Sequence, residues 1–401
     1  MPTTWNFHSA SRIVFGRDAT QQLGQVAAEM AARRVLIVTD QTLVGAGLVE
    51  HVSAPLNQAG IEIATYDGGR PDAPTDAVDE CAARAEHFQP DVLLGLGGGS
   101  NMDLAKGVVT VMAHGGKCRR YFGDQVVPGP VFPLILVPTT GGTGSEVTGA
   151  AVLTESRRQI KFAILSNHLR PRVAIIDPLL AVSCPPQFTA DSGIDALTHA
   201  IEAYTAINNR QFHVPDGEAT IYQGRNPMSD LFAERAISLV GEHLRRAVSD
   251  GQDVDAREGM ALAALLAGLA FSNSGVAIVH AMEYALSGAV GTPHGRGCGL
   301  LLPYAMRFNA AARTESMARI AKLLGEDVRG LSPVEAAELA ATAVDRLNRD
   351  IGIPVRMRDV GVQASQLDAM AERASKVTNI LRVNPRRAVL ADLRSILESA
   401  M

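Results

Sequence analysis

The hydrophobic pattern of this chain changes once, near residue 186. Before that point strand-like and helix-like segments alternate: "RVLIVTD" is typical of a buried strand, residues 76–87 of an amphipathic helix, and "DVLLGLGGGS" of a strand entering a Gly-rich turn. This order favours a parallel sheet with crossover helices. Afterwards, Ala/Leu-rich helical patterns follow one another without a convincing strand signal. We therefore predict an α/β domain over residues 1–186, an all-α domain over residues 187–401, and a site in the cleft between them.

The composition is that of a globular protein, with 401 residues of which 47% are hydrophobic and 20% charged. The net charge is −5 and no run of Lys or Arg occurs, so neither nucleic acid nor a membrane surface is the expected partner. The amino terminus lacks the pattern of a secretory signal. The cysteines are scattered without metal-knuckle spacing: Cys81, Cys118, Cys184 and Cys298. These features predict a cytoplasmic protein with reduced cysteines and a small-molecule partner.

One stretch requires a test against membrane insertion. Residues 259–281 carry no formal charge, but "SNSG" interrupts them and they contain His280. We predict two buried helical pieces there and no membrane span. The longest polar interruption of the second half, residues 208–227, is predicted to be a loop over one face.

Two Gly-rich turns follow predicted strands of the first domain. "GLGGGSNMDLAKG" leads from a strand into a helix, so its backbone amides can approach a phosphate at the helix amino terminus. It lacks the last glycine of GxGxxG, and a tight strand-to-helix turn explains it equally well on its own. "PTTGGTGSEVT" follows the strand pattern "FPLILVPTT", and two such turns in one sheet predict a polyphosphate ligand. The expected cofactor contacts are Gly97, Gly98, Gly99, Ser100, Asp103, Thr139, Thr140, Thr143, Ser145 and Thr148.

Two charged residues extend this predicted nucleotide site. Asp40 ends the strand "VLIVTD", where a carboxylate can accept hydrogen bonds from an adenosine ribose and repel a 2′-phosphate. An ordinary turn residue at the end of a strand is an equally good interpretation. Lys161 follows the second turn and can neutralise phosphate or orient the nicotinamide amide, and a solvated surface lysine is the alternative.

The stretch "GIDALTHAIEAY" contains Asp195 and His199, which share one face if the segment is helical. His280 and His294 also lie in apolar or Gly-Pro contexts of the second half. One Asp and three His give a divalent ion a mixed N/O site with room for a substrate oxygen, suitable for zinc or iron(II). A Lewis-acidic metal beside a dinucleotide predicts hydride transfer between an alcohol and the cofactor.

At these residues the sequence resembles the iron-containing alcohol dehydrogenase family, also called group III alcohol dehydrogenases. The resemblance covers essentially the whole chain and is carried by "GGGSNMDLAKG", "PTTGGTGSEVT", "GIDALTHAIEAY", "NPMSD", "VHAM" and "TPHGRGCGLLLP". It implies a dehydroquinate-synthase-like fold, in which a Rossmann-type parallel-sheet domain precedes a helical metal-binding domain. It also implies NAD or NADP as cofactor, a homodimer or larger homo-oligomer, and Fe2+ or Zn2+ held by Asp195, His199, His280 and His294.

Tyr284 departs from the family pattern, because many members carry at this position a histidine that is proposed to relay protons. A Tyr hydroxyl can pass a proton as well, so Tyr284 is kept as a candidate catalytic residue. Tyr284 and the stretch "IYQGRNPMSD" resemble the branch that contains hydroxyacid-oxoacid transhydrogenase, which oxidises 4-hydroxybutyrate. Arg225 and Arg296 can receive a substrate carboxylate by bidentate pairing, or they lie at the surface.

The leading hypothesis is a metal-dependent, NAD(P)-linked alcohol dehydrogenase that interconverts a small primary alcohol or ω-hydroxy acid, such as 4-hydroxybutyrate, and its aldehyde. The alternative is a hydroxyacid-oxoacid transhydrogenase that retains its nicotinamide. A lyase like dehydroquinate synthase would need a Lys/Arg cluster around the metal, which the sequence does not show. A non-catalytic binding or assembly protein of the same fold has no physical need to bury three His and an Asp together.

Overall fold

A computed structural model describes residues 4–156 and 160–401. The strands are β1 (Arg12–Phe15), β2 (Arg34–Val38), β3 (Glu62–Tyr66), β4 (Val92–Gly97), β5 (Gly123–Asp124), β6 (Leu134–Pro138), β7 (Ala150–Glu155), β8 (Ile160–Leu165) and β9 (Val173–Ile176). The α-helices up to the last strand are α1 (Leu23–Glu29), α2 (Gln41–Gly45), α3 (Leu48–Gln58), α4 (Thr75–Phe88) and α5 (Gly99–His114). The later ones are α6 (Pro186–Thr205), α7 (Pro227–Ser249), α8 (Val254–Ser274), α9 (Ile278–Val290), α10 (His294–Asn309), α11 (Thr314–Leu323), α12 (Pro333–Asp350), α13 (Leu367–Ser375), α14 (Thr378–Leu381) and α15 (Leu390–Ser399).

The main sheet has the strand order β1-β9-β6-β4-β2-β3, and all its described pairings are parallel. The three apolar runs predicted as strands are β2, β4 and β6 at its centre. Leu36 and Leu93 face α4 and α5, while Val35 and Leu94 face α1 and α3. Burial on both faces explains why these strands are continuous apolar runs. The predicted α/β domain is confirmed.

A second, three-stranded sheet has the order β5-β8-β7 and was not predicted from the sequence. β7 pairs antiparallel with β8, and the two-residue strand β5 pairs parallel with β8. β5 has only two residues, and β7 and β8 are partly exposed, so they lack the continuous apolar run that marks the central strands of the main sheet. This sheet places Lys161, on β8, beside the main cavity.

The second half is helical, and no strand occurs among its described residues. Its first helix, α6, begins at Pro186, which occupies the first turn. α6 is buried along almost its whole length because α7, α8 and α10 pack around it. Alanines dominate these contacts, so the helices approach closely and leave polar side chains of α6 inside the domain.

α8 and α9 correspond to the uncharged stretch tested for membrane insertion. No single helix among the described residues is long and apolar enough to cross a membrane. These two satisfy the length and composition criteria only as a pair, and the chain bends by 103° between them. The structure therefore shows the two buried helical pieces that were predicted, and the bend directs the start of α9 towards α6.

The two halves meet where the second Gly-rich turn docks on α8. Gly144 has a φ of +63°, and a Cβ atom added there would lie 2.6 Å from Cα of Gly268. Any larger residue would therefore separate the turn from the helix. Arg170 joins the halves nearby, because its Nη1 donates to the carbonyl oxygen of Val147 at 2.8 Å and to Oγ of Ser272 at 2.6 Å. These contacts bring the carboxyl edge of the main sheet against the helical domain.

Candidate active site

A cavity of about 710 Å³ lies at this junction and is lined by residues of both halves. The sequence-predicted site residues that line it are Gly99, Ser100, Asp103, Thr143, Ser145, Thr148, Lys161, Asp195, His199, His280, Tyr284 and His294. The predicted phosphate turns and the predicted metal ligands therefore face the same space. This arrangement is what a hydride transfer between a cofactor and a metal-held substrate requires.

Three of the four predicted metal ligands, Asp195, His280 and His294, have donor atoms within 4.8 Å of one another, and the fourth, His199, lies beside Asp195. Asp195 and His199 lie on α6, with 3.8 Å between Oδ2 of the carboxylate and Nδ1 of the imidazole. Oδ1 of Asp195 lies 4.0 Å from Nε2 of His280, on α9, and 3.8 Å from Nε2 of His294, at the start of α10. The imidazole ring of His199 stacks on that of His280, with 4.8 Å between centroids.

Several atoms of this cluster are buried without a hydrogen-bond partner. They are Oδ1 of Asp195, Nδ1 of His199 and Nε2 of His280. Leaving a buried polar group unsatisfied costs about 1–3 kcal/mol, so such atoms are rare and seldom occur together. Here Oδ1 of Asp195 and Nε2 of His280 lie 4.0 Å apart, and Nδ1 of His199 lies 3.8 Å from the other oxygen of the same carboxylate. Imidazole nitrogen and carboxylate oxygen are donors that zinc and iron(II) accept. The residues present therefore fit a divalent metal ion.

A buried glutamate that the sequence analysis missed orients His280. Glu202 accepts a hydrogen bond from Nδ1 of His280 at 2.6 Å. It also accepts the backbone N–H groups of Ala277 and Val279, at 2.7 and 2.6 Å, which lie at the start of α9. The bond at Nδ1 directs Nε2 of the imidazole towards Asp195. Glu202 follows Asp195 by seven residues, so two helical turns place both carboxylates on the same face of α6.

His294 is held in the same way by Glu283 of α9, which was also missed. Nδ1 of His294 lies 2.5 Å from Oε2 of Glu283, whose side chain is fully buried. Glu283 follows His280 by three residues and therefore lies on the same side of the helix. Acidic residues in helices are usually exposed, so the sequence alone gives little reason to select these two.

The electrostatics of the cluster favour a cation. Burial lowers the pKa of His199 to about 3, so this imidazole is neutral and its nitrogen lone pair is free. Burial by itself raises the pKa of Asp195, but His199 and the other imidazoles outweigh it, and the net pKa lies below the usual value. Burial lowers the pKa of His294, whereas Glu283 and Asp195 raise it by more. An ionised carboxylate beside a neutral imidazole suits a divalent ion.

The two Gly-rich turns lie side by side at the ends of β4 and β6. A Cβ atom added to Gly99 would lie 2.9 Å from Cγ2 of Thr143, so only glycine allows this approach. The backbone N–H of Thr139 donates to the carbonyl oxygen of Gly97 at 3.1 Å. α5 begins at Gly99, so its amino terminus opens beside both turns. Backbone amides and the helix dipole are thus available to a phosphate group.

Lys106, another residue missed by the sequence analysis, holds the second turn in shape. Its fully buried Nζ donates to the carbonyl oxygens of Ser145 and Ala150, both at 2.7 Å, and to Oγ1 of Thr148 at 2.9 Å. Oγ of Ser145 donates in turn to Oδ1 of Asp103 at 2.7 Å. Burial lowers the pKa of Lys106 to about 8. This network therefore joins three of the predicted cofactor residues, which are Asp103, Ser145 and Thr148.

Asp40 and Lys161 occupy different positions relative to the cavity. Oδ1 of Asp40 accepts the N–H of Leu43 at 3.1 Å and so caps α2, and Oδ2 accepts Nδ2 of Asn101 at 2.6 Å. These bonds are those of a turn residue at the end of a strand, which is the alternative interpretation of Asp40 given above. The residue lies at the edge of the main sheet where the first Gly-rich turn lies. Lys161 lines the cavity with a side chain only 15% exposed, and its Nζ lies 3.1 Å from Oδ1 of Asp72. It is not a solvated surface lysine.

Neither arginine proposed for a substrate carboxylate lines the cavity. Arg225 is bonded to Asp230, with 2.7 Å between Nη2 and Oδ2. Arg296 donates from Nε and Nη2 to the carboxylate of Asp191, at 3.1 and 3.0 Å. Both guanidinium groups thus have protein carboxylates as partners, and the interpretation that they bind a substrate has no support in their positions.

Three further residues complete the site. Tyr284 lines the cavity, with its ring centroid 6.2 Å from that of His294, and burial raises the pKa of its hydroxyl well above the usual value. Tyr222, which the sequence analysis missed, reaches the cavity from the loop predicted over residues 208–227. Cys298, also missed, lies on α10 with Sγ 3.8 Å from Nε2 of His294.

The parallel-sheet domain, the helical domain and the Asp-His cluster between them define the class of dehydroquinate-synthase-like proteins. Two family models match the chain: iron-containing alcohol dehydrogenase over residues 10–178, and the Fe-containing alcohol dehydrogenase family, C-terminal, over residues 189–401. The chain belongs to the iron-containing alcohol dehydrogenase family, whose members interconvert alcohols and aldehydes.

Known proteins agree over nearly the full length. The chain is 37% identical over 396 residues to the NAD-dependent methanol dehydrogenase of Bacillus methanolicus, and the match covers 99% of this chain and 100% of that protein. It is 39% identical over 388 residues to the 1,3-propanediol dehydrogenase of Klebsiella pneumoniae, covering 96% of each. A crystal structure of 1,3-propanediol oxidoreductase matches with a TM-score of 0.93 and 38% identity, over 99% of this chain and 100% of that one.

Proposed function

We propose that this protein uses NAD to interconvert a small, uncharged primary alcohol and its aldehyde, with Fe2+ or Zn2+ held by Asp195, His199, His280 and His294. The observation that carries the proposal is the set of unpartnered, buried donor atoms of Asp195, His199 and His280, in a cavity shared with the Gly-rich turns. The relatives named for methanol and 1,3-propanediol support the choice of substrate class.

The bound cofactors would supply Lewis acidity at the substrate hydroxyl and a hydride acceptor. The residues of this chain orient the metal ligands and hold the Gly-rich turn in shape. Glu202 and Glu283 aim the imidazoles of His280 and His294, and the turn held by Lys106 presents backbone N–H groups to the cofactor phosphates. The Tyr284 hydroxyl stays protonated near neutral pH and can donate a hydrogen bond within the cavity.

The charges around the cavity favour an uncharged substrate. Asp72, Asp103 and Asp124 line it together with two lysines, Lys161 and Lys376. Lys161 is paired with Asp72, and Lys376, the other lysine of the lining, is exposed. A substrate carboxylate would thus enter a site rich in carboxylates without a buried, unpaired cation to receive it.

The metal end of the cavity offers an apolar surface to an alkyl group. Phe271 stacks on His199, with 4.1 Å between ring centroids, and it lines the cavity together with Val276 and Ile380. A short carbon chain can be buried here at roughly 25 cal/mol per Å² of apolar surface. The hydroxy-acid substrate and the transhydrogenase reaction remain predictions of the sequence, as do the homo-oligomer and the cytoplasmic location.

An anaerobic assay of nicotinamide absorbance tests this function. Protein loaded with iron(II) or zinc is given NAD or NADP and, in parallel, 1-propanol, 1,3-propanediol or 4-hydroxybutyrate. We expect kcat/KM to be at least about tenfold higher for the neutral alcohols than for the hydroxy acid, and higher with NAD. Preference for 4-hydroxybutyrate would contradict the substrate class. Absence of hydride transfer with every alcohol and aldehyde would contradict the function itself.

A further inference from the structure

Cys298 lies among the proposed metal ligands, although the Asp and three His account for the site without it. It is fully buried on α10, one helical turn after His294. One donor atom each from Cys298, Asp195, His280 and His294 lies within 4.8 Å of the others. The thiol therefore points at the place where the three other residues converge.

The separations in this group suit a shared ion. Oδ1 of Asp195 lies 4.0 Å from Nε2 of His280 and 3.8 Å from Nε2 of His294, and Sγ of Cys298 lies 3.8 Å from the same nitrogen of His294. Two donors bound to one tetrahedral zinc ion at about 2.0–2.3 Å are roughly 3.3–3.8 Å apart. A slight contraction of the group would therefore close it around an ion.

A second, independent observation points to a ligand at this place. Oδ1 of Asp195 and Nε2 of His280 lie 4.0 Å apart in this group, and both are buried without a hydrogen-bond partner. His199 approaches the other oxygen of Asp195, Oδ2, at 3.8 Å. The cluster thus offers five side chains, with the imidazole of His199 at one oxygen of the carboxylate and those of His280 and His294 at the other.

We propose that Cys298 is a further protein donor of the metal centre and binds the ion as a thiolate beside Asp195, His280 and His294. This inference rests on the proposed metal-dependent function. When the ion enters, the S–H bond breaks, the proton passes to solvent, and a sulfur lone pair forms the bond to the metal. Thiolate is a softer donor than imidazole or carboxylate and selects zinc over iron(II). The chain should therefore prefer zinc more strongly than Asp and three His alone would.

Cobalt(II) is the probe ion for the first test, because a cobalt–thiolate bond adds a near-ultraviolet charge-transfer band that nitrogen and oxygen donors do not give. Metal-free, full-length protein is titrated anaerobically with cobalt chloride, and bound cobalt is measured by elemental analysis. We expect the band to saturate at about one cobalt per chain in the wild type. It should persist in Cys184→Ser, whose thiol lies outside the cluster, and disappear in Cys298→Ser while the visible ligand-field bands remain.

The outcomes separate the two proposals. Wild-type protein that binds cobalt with ligand-field bands but without the charge-transfer band overturns the role of Cys298 and leaves the metal site standing. Wild-type protein that binds no cobalt overturns the metal site itself. Both outcomes are measured on wild-type protein, so they can be obtained even where Cys298→Ser fails to fold.

Competition between ions gives a second measurement. Metal-free protein receives equimolar iron(II) and zinc under anaerobic conditions, and the ratio of bound zinc to bound iron is determined. We expect this ratio to fall at least about threefold in Cys298→Ser and Cys298→Ala relative to the wild type and Cys184→Ser. An unchanged ratio in folded variants contradicts the proposal.

Discussion

The two functional regions of the cavity handle buried polar groups in opposite ways. At the second Gly-rich turn, the ammonium group of the buried Lys106 lies within hydrogen-bond distance of four oxygen atoms, and Ser145 and Asp103 continue the same network. At the metal centre, buried atoms of Asp195 and His280 have no partner at all. The Lys106 network is complete without a ligand, although Oγ1 of Thr140 in the same turn is buried without a partner, whereas the metal centre leaves its own donor atoms unpaired.

This difference shows where each region obtains its function. The turn presents backbone amides, so its side chains serve to hold a shape that a nucleotide can use. The metal centre presents side-chain donors, so its surroundings, Glu202 and Glu283, serve to aim them. Substitutions in the turn should therefore act first on stability, and substitutions in the metal centre on ion binding and activity.

The largest effect is expected for His280→Ala, which removes one of the unpartnered donors. Bound metal should fall below about a tenth of the wild-type value. The value of kcat/KM should fall at least about a thousandfold, because the Lewis acid is lost. Elemental analysis and the nicotinamide assay measure both quantities. His87→Ala, on the exposed surface of α4, is the control and should bind metal normally. Normal metal content in His280→Ala would refute the assignment.

Lys106→Met should separate stability from metal binding. The apolar side chain leaves the carbonyl oxygens of Ser145 and Ala150 without their donor, at a cost of about 1–3 kcal/mol for each buried acceptor. We expect the free energy of unfolding to fall by about 3 kcal/mol while metal content stays near one ion per chain. Urea unfolding measures the change, with the exposed Lys322→Met as control. Unchanged stability would show that the network is not what holds the turn.

The difference in the free energy of unfolding between wild type and Lys106→Met should also depend on pH. The pKa of Lys106 is about 8 in the folded protein and 10.5 ordinarily, so the unfolded chain binds more protons between these values. This residue therefore makes the free energy of unfolding rise with pH across that window. The difference in stability between wild type and Lys106→Met should follow this slope, and a flat difference from pH 8 to pH 10 would contradict it.

Glu202→Gln tests whether the metal centre depends on its buried carboxylates. The amide can accept fewer of the three hydrogen bonds that Glu202 receives, so the His280 imidazole loses its fixed orientation. Zinc affinity should fall about 10–100-fold, as is typical when a residue that orients a ligand is changed. A competitive chelator titration gives the affinity, and Glu242→Gln, at an exposed position of α7, provides the comparison. Equal affinities in both variants would reduce Glu202 to a structural role.

The smallest effect is expected for Arg225→Ala and Arg296→Ala. Both guanidinium groups are paired outside the cavity, so the ratio of kcat/KM for 1-propanol to that for 4-hydroxybutyrate should change less than about twofold. Stability can still fall, because each change leaves a carboxylate without its partner. A selective loss of activity towards the hydroxy acid in either variant would restore the carboxylate-binding hypothesis.

The sequence predicted most of the fold and singled out the proposed donor residues because their signals are local. β2, β4 and β6 are continuous apolar runs, and a charged residue such as Asp195 in an apolar helix is unusual in itself. Glu202 lies in the same apolar stretch as Asp195, but one acidic residue in a helix is normally solvated, and the same holds for Glu283 and Lys106. Only the packing of α6, α9 and the second turn shows that these three are buried.

The central claim is that one divalent ion sits among Asp195, His199, His280 and His294. Anomalous scattering from crystals of the metal-loaded protein, recorded at the iron and zinc absorption edges, tests it most directly. The account predicts a single anomalous peak enclosed by these side chains, in protein that also oxidises an alcohol with NAD. An active, metal-loaded crystal with no peak there, or with its only peak elsewhere, would contradict it.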